Sequence, residues 1–217
     1  MKVKICGLTS LEDTLAAAGA GADMLGFNFF PKSPRFISTQ ECRKWVSALK
    51  AAGAPVTTVG VFVNEAPERI VAILDECGLD LAQLSGDEPP GHLEFLGERG
   101  FKALRLRLAG EAGTVFDRYP TRKQAPAWLV DAYAPGQFGG TGQMADWTLA
   151  SSIASRYPVL LAGGLTPENV SDALRQVNPW GVDVASGVES SPGKKDQGRV
   201  IAFIEAVRQF NSENRVC

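Results

Sequence analysis

The chain has 217 residues, of which 45% are hydrophobic and 21% charged, with a formal net charge of −2. That length can bury a full core, and a closed eight-stranded α/β barrel takes about 250 residues on average. A near-neutral chain has no broad basic field for DNA or RNA, and no apolar run approaches the roughly 20 residues of a membrane span.

In chain order the pattern predicts a strand at Lys2–Cys6, a helix at Leu11–Ala18, a strand at Met24–Phe29 and a helix at Thr39–Ala52. A strand at Thr57–Val63, a helix at Pro67–Glu76 and strands at Leu81–Leu84, Lys102–Leu106, Ala127–Asp131 and Val159–Ala162 follow. A helix at Asn169–Val177 and a strand at Gly181–Ala185 close the series. Short β-branched runs alternating with amphipathic segments are the mark of βαβ units on a parallel sheet. Eight units in 217 residues leave about 27 apiece, close to the ~30 of one βαβ step. The turn after the first strand reads Cys6-Gly7-Leu8-Thr9-Ser10 and lacks the glycine fingerprint of an open dinucleotide-binding sheet. The expected fold is therefore α/β, a single (β/α)8 TIM barrel over residues 1–217.

Three similar joints, Gly21-Ala22-Asp23, Gly78-Leu79-Asp80 and Gly181-Val182-Asp183, read as helix ends turning into strands, which offers a structural explanation for Asp183. The segment Ala134–Gln143, rich in glycine and directly after Asp131, reads as a mobile lid over the mouth. The start, MKVKICGLTS, has no secretory apolar core, so a cytoplasmic protein is expected. Cysteines at 6, 42, 77 and 217 lack close spacing and read as free thiols, not as metal ligands or a disulfide framework. His92, the only histidine, follows Pro89-Pro90-Gly91 and reads as a solvated loop residue. A single histidine rules out a multi-histidine metal centre and argues against a histidine-based triad.

Ligand chemistry in this fold gathers in the loops at the carboxyl ends of the strands. Leu161-Ala162-Gly163-Gly164-Leu165-Thr166-Pro167 runs from a strand through a tight turn toward a helix, with Thr166 as the expected cap and Pro167 as the first helical residue. Ala185-Ser186-Gly187-Val188 ends the last strand in a similar way. Glycine amides after strands seven and eight can approach an anion closely, so Gly163, Gly164, Ser186 and Gly187 point to a phosphate-binding barrel. Cys6 ends strand one, Asp131 ends strand six, and Arg35 sits in the loop after strand two. A thiol, a carboxyl and a guanidinium around one mouth can form an acid–base site. Each also has a structural explanation: Cys6 as a small core residue, Asp131 as a loop cap, Arg35 paired with a surface acid.

The motifs resemble those of the phosphoribosylanthranilate isomerase family along nearly the whole chain. They are KICGLT (4–9), GADMLGFNFFPKSPRFIS (21–38), VGVFVN (59–64), AQLSGDE (82–88), VDA (130–132), GGTGQMADW (139–147), LAGGLTPENV (161–170) and GVDVASGVESSPGKKD (181–196). The resemblance implies a cofactor-independent isomerase of tryptophan biosynthesis acting on a small phosphorylated substrate. It implies Cys6 as general base, Asp131 as general acid, Arg35 on the anthranilate carboxylate, and the glycine turns on the phosphate. For those roles the Asp131 carboxyl must titrate high, as burial allows, and the Cys6 thiol low, as nearby cations or helix N-termini allow. One departure is Gln83-Leu84-Ser85-Gly86, where the family often has histidine at the position of Ser85; with acid and base both present, activity is expected to survive.

Two other readings stay open. A different enzyme on the same barrel is one, although Lys4 and Lys102 are poorly placed as Schiff-base lysines. A barrel that only binds a phosphorylated metabolite or a partner is the other, although binding alone needs neither Cys6 nor Asp131. Monomer and homodimer are both compatible with the sequence.

Overall fold

The computed structural model describes residues 1–105, 118–131 and 146–214. The first half runs β1 (Lys2–Cys6), α1 (Leu11–Gly19), β2 (Met24–Asn28), α2 (Thr39–Ala51), β3 (Thr57–Phe62), α3 (Pro67–Cys77), β4 (Leu81–Leu84), α4 (Pro90–Leu96) and β5 (Gly100–Arg105). The second half runs β6 (Trp128–Asp131), α5 (Trp147–Ala154), β7 (Val159–Leu161), α6 (Val170–Val177), β8 (Gly181–Val184), a short hairpin of β9 (Glu189–Ser191) with β10 (Lys194–Lys195), and α7 (Gln197–Glu213). Strands β1 to β8 close into one barrel in sequence order, every neighbouring pair parallel, with β8 returning to β1. This is the (β/α)8 barrel that the alternation predicts.

Side chains alternate along each strand, and the two parities divide the core. Met24, Val59, Leu81, Phe101, Ala103, Leu129, Leu160 and Ala162 fill the barrel interior, with Trp180 packed on them. The opposite parity, including Val3, Ile5, Leu25, Phe27, Val130 and Val182, meets the apolar faces of the helices. Helix starts are fixed locally. Ser38 and Glu41 form a reciprocal capping box at α2, and Ser10 caps α1 through Asp13 N.

The structure departs from the sequence reading in three places. Helix α6 begins at Val170, because the Asn169 side chain folds back to accept from Thr166 N (2.8 Å) and to donate to Gly164 O (2.9 Å). Thr166 and Pro167 therefore lie in a turn that braces the glycine pair and do not open the helix. The three-fold echo of joints also breaks. Asp23 and Asp80 precede their strands and accept from Val3 N (2.9 Å) and Thr58 N (2.7 Å) of the neighbouring strands. Asp183 instead lies inside β8, in register with Lys4 of β1. His92 belongs to the first turn of α4 and is half-buried, not a solvated loop residue. The expected lid, Ala134–Gln143, lies outside the described residues, as does Leu106. Among the described residues no helix is long and apolar enough to cross a membrane.

Candidate active site

Above the apolar layers, the inward parity turns polar. The last inward residues of the strands, and those just beyond them, line a cleft: Cys6 from β1, Asn28 from β2, Val61 from β3, Gln83 and Ser85 around β4, Arg105 from β5, Asp131 from β6 and Asp183 from β8. Arg35 reaches the same cleft from the loop after β2. Its path depends on Gly7, which sits at a φ of +74°, and whose place a side chain would contest with Arg35 Cδ.

A smaller hollow adjoins, lined by Gly163, Gly164, Leu165, Ser186 and Gly187. It shares Asp131, Asp183 and Ala185 with the larger cleft. Gly163 and Gly164 take φ values of +88° and +64°, a conformation that a side chain would strain, and the turn presents its backbone to the hollow. Ser186–Val188 forms one 3-10 turn after β8. A Cβ on Gly187 would run into Leu165 O, so the two glycine turns pack backbone against backbone.

The electrostatics are set by buried ion pairs. Lys4 has no exposed surface and donates to Asp183 Oδ1 at 2.7 Å. Glu189 of the hairpin receives Arg35 through Nε (2.8 Å) and Nη2 (2.7 Å), and Lys195 through Nζ (2.9 Å). Burial works against the Glu189 charge, but Arg35 and Lys195 outweigh it and hold the carboxyl below its ordinary value. Burial pushes the Cys6 thiol up; Lys4 opposes that shift, Asp183 adds to it and Lys195 opposes it. The thiol at rest is therefore protonated at neutral pH. This corrects the expectation of a low thiol pKa, because enclosing the sulfur outweighs the two ammonium groups beside it.

The barrel, its cleft and its glycine hollow can be set beside known proteins. A family model described as N-(5'phosphoribosyl)anthranilate (PRA) isomerase matches residues 3–206. The chain belongs to this isomerase family. An N-(5'-phosphoribosyl)anthranilate isomerase of Pseudomonas fluorescens is 46% identical over 96% of the chain and 98% of its own length. The crystal structure of phosphoribosyl anthranilate isomerase from Thermotoga maritima has a TM-score of 0.84 at 37% identity, covering 96% of this chain and 99% of that one. A crystal structure of a phosphoribosyl anthranilate isomerase in complex with reduced 1-(o-carboxyphenylamino)-1-deoxyribulose 5-phosphate has a TM-score of 0.81 at 36% identity, covering 96% and 99%.

Every candidate residue named from the sequence of this isomerase reaches the two hollows. Cys6, Asp131 and Arg35 face the larger one; Gly163, Gly164, Ser186 and Gly187 line the smaller. Four charged residues were missed or misread: Lys4, Asp183, Glu189 and Lys195. Strand parity was the available signal for the first two, since Lys4 stands two residues before Cys6 and Asp183 two before Ala185. Glu189 and Lys195 carry no such signal, because they meet Arg35 only once the hairpin after β8 has folded. Gln83 donates to Ser85 Oγ at 3.1 Å, and its Oε1 is buried without a partner among the described residues, beside the cleft. Lys102 is engaged away from the mouth by Leu84 O, Gly86 O and Glu88 Oε2.

Proposed function

We propose that the protein converts N-(5-phosphoribosyl)anthranilate to the 1-deoxyribulose 5-phosphate product in tryptophan biosynthesis. The reaction is an Amadori rearrangement run by one acid and one base, with no cofactor. The reading rests on one observation above all: Cys6 and Asp131 line one cleft that opens directly onto the glycine hollow, with Asp131 bordering both.

In this reading the substrate phosphate lies against the backbone of Gly163, Gly164, Ser186 and Gly187, and the anthranilate carboxylate meets Arg35. Protonated Asp131 donates to the furanose ring oxygen; the anilino nitrogen pushes in its electron pair, the C1′–O bond breaks, and a Schiff base forms. The Cys6 thiolate then takes the proton from C2′, leaving an enolamine. Return of a proton to C1′, with loss of the proton on the C2′ hydroxyl, gives the ketose, so the atoms balance without any redox partner. Since the thiol titrates high, the base is the minority thiolate, and the cations around the sulfur set how much of it exists.

The test is direct. Purified enzyme given the substrate must consume its anthranilate fluorescence, whereas Cys6→Ser and Asp131→Asn must not do so at a comparable rate. A wild-type enzyme without turnover would instead favour a barrel that binds a phosphorylated metabolite.

A further inference from the structure

A β-strand puts residues i and i+2 on the same face, so β1 sends Lys4 and Cys6 into the barrel one above the other. Lys4 is completely buried and pairs in register with Asp183 of β8, its ammonium donating to that carboxylate at 2.7 Å. On the other side of β1, Cys6 is in register with Gly26 of β2. A Cβ on Gly26 would lie 2.7 Å from Cys6 Sγ and 3.2 Å from Lys4 Nζ, so the thiol and the ammonium crowd the same point. The absence of a side chain at Gly26 is what lets them meet.

Packing alone does not call for a charge here. The layer below is apolar, and a buried ion pair is commonly replaceable by apolar residues of similar size without loss of stability. The distinguishing feature of the pair is its neighbour, the sulfur. We propose that Lys4 is a positioning residue whose buried ammonium supplies the counter-charge for the Cys6 thiolate. Without it, ionising the thiol would place a second anion beside Asp183.

The other charges facing Cys6 are Lys195 of β10, on which Glu189 already draws, and Arg35, held by the same glutamate. Asp131 borders the same cleft from β6. Lys4, itself paired with Asp183, is the cation that acts most strongly on the sulfur. Its influence on the thiol opposes that of burial and exceeds that of Asp183, so removing the two partners should move thiol reactivity in opposite directions.

The link to turnover rests on Cys6 being the base, but the test reads the thiol itself. The rate of Cys6 alkylation by iodoacetamide is followed by mass spectrometry of the Cys6 peptide at pH 8.5. An opposite charge within about 4–6 Å shifts a pKa by about 1–3 units, so Lys4→Met should react at least about tenfold more slowly than wild type. Asp183→Asn should react faster. A purely structural role predicts the same direction for both, since loosening either side admits water and eases ionisation. Should Lys4→Met fail to fold, Lys4→Met/Asp183→Asn, which leaves no lone buried charge, takes its place and must still react more slowly than wild type.

Lys4→Met should also lose kcat with KM nearly unchanged, and the loss should shrink as pH rises. Alkylation as fast as wild type in Lys4→Met, or in the double variant, overturns the proposal. Full turnover by Cys6→Ser would overturn the base assignment while leaving the alkylation result standing, so the two failures are separable.

Discussion

Arg35 and Glu189, 154 positions apart in the chain, meet through two side-by-side hydrogen bonds of 2.8 and 2.7 Å. This fork-to-carboxylate geometry fixes the plane of the guanidinium, so the arm proposed to hold the substrate carboxylate is oriented before any ligand arrives. Lys195 supplies the second positive charge that keeps Glu189 ionised.

Removing the Glu189 carboxylate should therefore act on both stability and binding. Glu189→Ala leaves the buried Lys195 and the partly buried Arg35 without their carboxylate and is expected to cost about 3–5 kcal/mol of folding stability. The freed Arg35 should raise KM by about tenfold, the equivalent of about 1.4 kcal/mol. Urea denaturation and steady-state kinetics check the two parts.

Arg35→Ala should raise KM with a much smaller effect on kcat, because a carboxylate contact is made in ground and transition states alike. A large fall in kcat at unchanged KM would place Arg35 at the chemistry instead.

Cys6→Ser and Asp131→Asn each remove one proposed proton-transfer group. Turnover should fall by about 10²–10⁴ for each, with KM changed little. Anthranilate fluorescence under saturating substrate measures both.

Gly187→Ala would drive a methyl group into Leu165 O, a backbone atom that cannot rotate away. The turn must separate from its neighbour, so KM should rise by about tenfold or more and inorganic phosphate should weaken as a competitive inhibitor. Unchanged phosphate inhibition would remove Gly187 from the anion site.

The pH dependence of stability has a definite sign. Burial disfavours the charges of Glu189 and Glu88, yet Arg35 and Lys195 around the first, and Lys102 and backbone N–H groups around the second, hold both carboxyls below the ordinary 4.5. A group whose pKa is depressed by folding stabilises the fold above its unfolded value and loses that contribution as pH falls through its folded value. Melting temperature should accordingly hold near neutrality and drop below about pH 4.5, with a shallower acid drop in Glu189→Gln.

Much of the barrel was legible in the sequence because period-two and helical patterns alternate cleanly, as from Lys2–Cys6 to Thr39–Ala51. The glycine turns were legible too, since Gly163 and Gly164 sit at positive φ, a backbone conformation that side chains rarely adopt. Asp183 was misread because its local sequence copies the joints at Asp23 and Asp80, and only inter-strand register shows that it faces inward beside Lys4. The turn at Thr166 looked like a helix start, and the Asn169 side chain, which no local propensity reveals, moved the start to Val170. The Arg35–Glu189–Lys195 cluster depends on tertiary closure between the second loop and the last hairpin, information that no single segment contains.

The common border of the two hollows has a further consequence for small molecules. Asp131, Asp183 and Ala185 stand between the hollow proposed for the aryl carboxylate and the one proposed for the phosphate, so on that reading each half should bind its own fragment. A sugar that spans the partition makes the second capture intramolecular, and affinity then grows through effective concentration without any added contact. Inhibitors assembled by joining the two fragments should gain most when the tether matches a five-carbon reach, and shorter or longer tethers should forfeit the gain.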